Sequence, residues 1–115
     1  MYHLLLFPFL HTIPHSGYAN IFKCCYNILI SRFIQSVLNV IKTFRLDGFD
    51  VDWEFPAWLG ADVREKIHFV QLLEELRKEF DHSGQKLLLT VAVAAPQAIV
   101  DQSYSIPEMA EYVYH

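Results

Sequence analysis

The chain has 115 residues, enough for one small domain with a hydrophobic core of its own. Its composition, 53% hydrophobic and 19% charged, is that of a globular protein and argues against disorder. The formal net charge is −4 and the nine basic residues form no stripe, so nucleic acid is not expected as a partner.

Residues 1–30 form a segment to which the sequence assigns no structure. The apolar run at residues 4–10 contains Pro8 and follows no basic leader, so we expect at best a poor signal peptide. It is also too short to span a membrane, which needs about 20 apolar residues. Cys24 and Cys25 are adjacent, which strains a bridge between them, and two thiols alone make no zinc site.

Residues 31–44 have the spacing of an amphipathic helix. Ser31 stands where an N-cap residue would, and apolar residues follow at three- and four-residue steps. These apolar positions are Phe33, Ile34, Val37, Leu38, Ile41 and Phe44. A short turn at residues 45–48 separates this predicted helix from the next element.

Residues 49–55 alternate between apolar and acidic side chains, which predicts a β-strand with two unlike faces. The apolar face consists of Phe49, Val51, Trp53 and Phe55. The acidic face consists of Asp50, Asp52 and Glu54. Pro56 is predicted to end the strand, because proline cannot donate a hydrogen bond to a sheet. Acids packed this closely lose hydration and repel one another, which lowers the stability of the folded state. Such a cost suggests that the acids serve a function.

A solvated edge strand, a calcium loop and chance are the alternatives to a functional acidic face. An edge strand fits poorly with Gly48 and the aromatic opposite face, and a calcium loop requires a glycine after its first acids, whereas Gly48 precedes Asp50. In a closed parallel barrel the acids would point inward, with Glu54 nearest the mouth where active sites lie. Neighbouring carboxylates that cannot all ionise hold a proton, which makes one of them a general acid.

Residues 62–80 predict a second helix, in which Asp62 and Glu65 resemble a capping box. Its apolar stripe consists of Val63, Ile67, Val70, Leu73, Leu76 and Phe80. Residues 87–95, LLLTVAVAA, predict a strand buried on both faces. Residues 105–113 can hold a further short helix, with Pro107 in its first turn.

The alternation of helices and strands predicts βαβ units and a parallel sheet. Two strands cannot form a complete sheet covered on both faces. Either residues 1–30 supply a third strand, for which residues 26–30, YNILI, are the best candidate, or the chain is a piece of something larger. The second possibility is favoured.

Residues 47–54, DGFDVDWE, resemble the signature D-G-x-D-x-D-W-E of glycoside hydrolase family 18, the chitinases and chitinase-like lectins. The resemblance extends over about residues 31–113. It implies an α/β fold, an incomplete (β/α)8 TIM barrel that runs from the third helix to just past the fifth strand and occupies residues 31–115. It also implies chitin or chitooligosaccharides as the partner, an extracellular location, and no metal or organic cofactor.

The resemblance implies a role for each matching residue. Glu54 would protonate the glycosidic oxygen, and Asp52 would orient the substrate's N-acetyl group, whose carbonyl oxygen attacks the anomeric carbon. Asp50 would share a proton with Asp52. The implied reaction is retaining hydrolysis of β-1,4-N-acetylglucosamine linkages, assisted by the substrate. Supporting positions of the site are Asp47, Gly48 and Trp53.

Phe55 and Trp58 are the candidate substrate-binding residues. Phe55 stands where the family more often has tyrosine, and Trp58 would either stack on a sugar ring or pack against its own loop. The family's first two strands, and the later ones that contribute to its substrate site, have no counterpart in these 115 residues. We therefore expect the chain alone to be weak or inactive, and the alternative function is non-hydrolytic chitin binding.

Overall fold

The computed structural model describes residues 19–113, and their side chains from residue 27 onward. The elements in chain order are α1 (Ala19–Phe44), β1 (Gly48–Asp52), α2 (Glu65–His82), β2 (Leu88–Ala92), α3 (Gln97–Ser103) and α4 (Ile106–Met109). The predicted α/β class is confirmed, whereas α3 was not predicted. Between residues 19 and 113 no helix has the length and apolarity needed to cross a membrane. The leader-like run at residues 4–10 lies outside the described residues.

Strands β1 and β2 pair in parallel, with α2 connecting them, as the predicted βαβ unit requires. The register places Gly48 beside Leu88, Asp50 beside Thr90, and Asp52 beside Ala92. Because side chains alternate along a strand, these residues share one face of the sheet. The other face carries Val51 and Leu89, which are almost fully buried.

Helix α1 begins earlier than predicted. Ser31 lies inside it rather than at its N-cap, and residues 26–30 are helical, so the strand alternative for YNILI is wrong. Extending an existing helix adds one hydrogen bond per residue, whereas a separate strand would need a neighbour to pair with. The buried stripe of α1 consists of Ile34, Val37 and Ile41.

Helix α2 begins at Glu65 with Arg64 as its N-cap, so Glu65 is the first residue of the helix and the predicted capping box is wrong. Asp62 instead organises the preceding turn, because its Oδ1 accepts the Arg64 backbone N–H at 2.9 Å. The predicted stripe is also partly wrong, since Val63 and Ile67 are 77% and 60% exposed. The core-facing apolar residues of α2 are Phe69, Leu72, Leu73, Leu76 and Phe80.

Helices α1 and α2 cover one face of the two-stranded sheet. Phe33 of α1 meets Phe49 edge-on at 6.2 Å, and Phe69 of α2 meets Trp53 in the same way at 5.6 Å. Each large apolar side chain buried here contributes about 1.5 to 3 kcal/mol. The other face is more open, and Leu88 on it is 55% exposed, so the prediction that residues 87–95 are buried on both faces is wrong.

Candidate active site

Gly48, at the start of β1, lies against the backbone of β2. A Cβ atom at this position would clash with the Leu88 carbonyl oxygen, so no residue with a side chain fits without moving the strands. Asp47, whose side chain is exposed, accepts the Leu88 backbone N–H on its own carbonyl oxygen at 2.8 Å. Two of the three predicted supporting residues, Asp47 and Gly48, thus meet β2 through their backbones.

Asp50 and Asp52 lie on the same face of β1, as their spacing predicted. Asp50 is half-buried and accepts a hydrogen bond from the Thr90 hydroxyl at 2.5 Å, while Asp52 is only 4% exposed. Thr90 was missed in the sequence. Its signal was its position as the one polar residue in the run LLLTVAVAA, which the register places beside Asp50.

Glu54 is exposed and follows β1 rather than belonging to it. The strand ends at Asp52, four residues before Pro56, because β1 and β2 stop pairing at Asp52 and Ala92. The peptide bond between Glu54 and Phe55 is cis. The predicted file of three acids thus consists of two strand residues and a third acid in the bend beyond them.

Tyr104, the residue that follows α3, contacts the backbone just beyond the end of β1. Its ring lies 5.9 Å from the ring of Phe69, and its hydroxyl donates to the Trp53 carbonyl oxygen at 3.0 Å. Burial raises the pKa of Tyr104 to about 12, a hydrogen bond from the Ala94 backbone N–H opposes that rise, and the carboxylates of Asp52 and Glu54 add to it. Sequence reasoning missed Tyr104, which lies 51 residues from its partner.

The loop after Glu54 is held at Ala57. The backbone N–H of Ala57 donates to Glu65 Oε2 at 3.0 Å, and its carbonyl oxygen accepts Gln102 Nε2 at 2.8 Å. Ala57 is buried in the left-handed conformation, with φ at 58°. Phe55 and Trp58, the predicted substrate-binding residues, flank this anchored segment and are both half-buried. Trp53 is buried in the core.

The site therefore combines the exposed carboxyl group of Glu54 with the buried carboxyl group of Asp52. The third acid is Asp50, which accepts the hydrogen bond from Thr90. Such a set can donate and accept protons at a ligand that approaches Glu54 from solvent. In the described part of the chain, no cluster of three or more histidine, cysteine, aspartate and glutamate residues is arranged to hold a metal ion. The side chains of Cys24 and Cys25 lie outside the described residues.

The family model described as "Glycosyl hydrolases family 18" matches residues 29–115. The chain is 37% identical over 87 residues to "Probable chitinase 2" of Drosophila melanogaster, covering 76% of this chain and 18% of that protein. It is 36% identical over 84 residues to "Chitotriosidase-1" of Mus musculus, covering 69% of this chain and 18% of that protein. The chain thus spans about a fifth of the length of these curated relatives.

Solved structures to which the chain is similar include a chitinase and a pseudo-chitinase. A group IV chitinase of Ostrinia furnacalis in complex with allosamidin superposes with a TM-score of 0.67 at 43% identity, covering 73% of this chain and 22% of that one. Human YKL-39, described as a pseudo-chitinase with retained chitooligosaccharide binding, superposes with a TM-score of 0.64 at 30% identity, covering 73% of this chain and 23% of that one.

Proposed function

This chain belongs to family 18 of the glycosyl hydrolases, and on that premise we propose that it serves in the hydrolysis of β-1,4-N-acetylglucosamine linkages in chitin. The single observation that carries the proposal is the placement of the acids. Glu54 is exposed in a bend at the end of β1, and the buried Asp52 precedes it by two residues. A polymer reaching the sheet from solvent would therefore meet Glu54 first.

In the proposed reaction Glu54 gives its proton to the glycosidic oxygen as the bond to the leaving sugar breaks. The carbonyl oxygen of the substrate's own N-acetyl group forms the new bond to the anomeric carbon, giving an oxazolinium ion. Asp52 orients that group and stabilises the positive charge. Water then opens the ion with Glu54 as the base, which returns the anomeric carbon to its original configuration.

Asp50 completes the proposed acid set by sharing a proton with Asp52. The Thr90 hydroxyl bound to Asp50 supports this role, because it holds that carboxylate in one orientation on the acidic face of β1. Trp58 and Phe55 are the proposed contacts to the sugar rings. Their loop is anchored through Ala57, which limits the entropy lost when a sugar binds.

We further propose that β1 and β2 are neighbouring strands of an incomplete (β/α)8 barrel formed by residues 31–115. The support is the superposition on chitinase structures and the position of α1 and α2, both of which pack on the face opposite the acids. In such a barrel helices lie outside and catalytic side chains line the interior. Because chitin is an extracellular polymer, an extracellular location follows from the proposed substrate.

The test is hydrolysis of a chromogenic chitooligosaccharide by two proteins. One is the 115-residue chain, which is expected to be weak or inactive alone. The other is a chimera in which residues 29–115 replace the matching segment of the Ostrinia furnacalis group IV chitinase. The proposal expects turnover by the chimera and a loss of at least about 1,000-fold in its Glu54→Gln variant. A folded chimera whose activity survives Glu54→Gln contradicts it.

A second candidate function is chitin binding without hydrolysis. The observation that favours it is the likeness to human YKL-39, a pseudo-chitinase that retains chitooligosaccharide binding. The presence of Glu54, the proposed proton donor, favours hydrolysis instead. A chitin pull-down beside the hydrolysis assay separates the two, since binding by a folded chimera that shows no turnover supports the second function.

A further inference from the structure

The Tyr104 hydroxyl lies where the pairing of the two strands has ended. The ladder between β1 and β2 stops at Asp52 and Ala92. One residue beyond Asp52, the Trp53 carbonyl oxygen accepts a hydrogen bond from the Tyr104 hydroxyl at 3.0 Å. Two residues beyond Ala92, the Ala94 backbone N–H donates to the same phenol oxygen. One side-chain hydroxyl therefore bridges the two backbones past the end of the sheet.

This bridge is buried and rigidly supported. Tyr104 is 3% exposed, and the two residues whose backbones it joins, Trp53 and Ala94, are 7% and 8% exposed. Phe69 packs against both aromatic rings, at 5.9 Å from that of Tyr104 and 5.6 Å from that of Trp53. A donor or acceptor left unpaired in such a place is costly, so the hydroxyl holds one geometry.

The Trp53 carbonyl belongs to the peptide unit that joins Trp53 to Glu54. The orientation of that unit sets the direction in which the Glu54 side chain leaves the backbone, and no β1–β2 ladder bond fixes it. We propose that Tyr104 is a positioning residue, whose hydroxyl takes the place of the absent ladder hydrogen bonds and fixes Glu54 relative to Asp52. Its importance for catalysis rests on the proposed function of Glu54, while its effect on geometry does not.

The experiment compares isotopically labelled wild-type chain with Tyr104→Phe by NMR at constant pH, without substrate. Tyr104→Phe removes one oxygen and keeps the ring against Phe69. The proposal expects the Trp53 carbonyl and Glu54 carboxyl carbon resonances to move and Ala94 amide exchange to accelerate about tenfold or more. The exposed Asp47 carboxyl serves as an internal reference and should not move. Tyr112→Phe is the matched control and should leave all these signals in place.

Unchanged Glu54 and Ala94 signals in Tyr104→Phe, or changes of equal size in Tyr112→Phe, overturn the proposal. If Tyr104→Phe does not fold by circular dichroism, the reverse perturbation decides. Glu54→Gln alters an exposed side chain and should move the Tyr104 ring Cζ resonance, whereas Asp47→Asn should not, and an unmoved resonance overturns the proposal.

In the chimera, Tyr104→Phe should lower kcat about tenfold and change KM less. A chimera without turnover rejects the proposed function and leaves the NMR result to judge the bridge.

Discussion

The Glu65 carboxylate accepts the backbone N–H of Ala57 at 3.0 Å, across the loop that leads from the acidic strand to α2. Glu65 is 5% exposed, and Ala57 is 3% exposed in a left-handed conformation that alanine adopts at a cost. The first residue of a helix thus holds in place the loop that carries Trp58 and follows Glu54.

Replacing Glu65 by alanine is expected to lower the free energy of unfolding by about 1 to 3 kcal/mol, because the Ala57 N–H would be left buried without this acceptor. Denaturant unfolding measures the change. Glu75→Ala is the control, since Glu75 forms a 3.9 Å ion pair with Lys78 at the surface and should change stability by less than about 0.5 kcal/mol. Equal losses in the two variants would contradict the assigned role of Glu65.

A methyl group at Gly48 is expected to force β1 and β2 apart. Gly48→Ala should cost more than about 2 kcal/mol, because the new Cβ would meet a backbone oxygen, which cannot rotate away as a side chain can. Gly84→Ala is the comparison. Gly84 has φ at +72° but open space around it, so its substitution should cost about 1 kcal/mol. Thermal unfolding of the two variants ranks them, and a milder effect at Gly48 would refute the close strand contact.

The Thr90 hydroxyl is expected to matter through Asp50. Thr90→Val keeps the shape of the side chain but removes the donor, so it should cost about 1 to 2 kcal/mol, whereas Thr90→Ser keeps the donor and should restore part of that loss. Thr43→Val, on the exposed end of α1, controls for the chemical change itself and should have little effect. Chemical denaturation measures all three. Should valine and serine be equivalent at Thr90, the hydrogen bond would have no energetic weight.

Stability is expected to fall at alkaline pH because of Tyr104. Its folded-state pKa is about 12, while an unfolded tyrosine titrates near 10, so between these values the unfolded state has lost the proton that the folded state keeps. The unfolded chain then binds fewer protons, and the free energy of unfolding declines with rising pH. Its contribution is complete below pH 10, and about 2 to 3 kcal/mol is lost by pH 12.

The pH effect can be isolated by comparison with Tyr104→Phe, which cannot ionise at this position. Denaturant unfolding of both proteins at several pH values between 9 and 12 should show a steeper decline for the wild-type chain. Parallel curves would mean that Tyr104 titrates alike in both states, which its burial argues against.

Much of the candidate site follows from local rules. Side chains alternate along any strand, so the spacing of Asp50 and Asp52 places them on one face whatever surrounds them. Apolar residues at three- and four-residue spacing predicted α2, and the alternation of helix and strand predicted the parallel pair β1 and β2. Local rules failed where the extent of an element depends on its neighbours. Helix α1 continued through YNILI, and β1 ended where its partner ended rather than at Pro56.

The contacts that hold the acids in place were decided by the tertiary structure. Thr90 lies 40 residues from Asp50, and Tyr104 lies 51 residues from Trp53. No periodicity links positions so far apart, because their contact depends on the register of two strands and on how α3 returns the chain to the sheet. The sequence by itself therefore determined that two of the three acids, Asp50 and Asp52, share a face, and it determined which family the chain belongs to. Packing at long range decided which of them is buried, which is exposed and what holds each one.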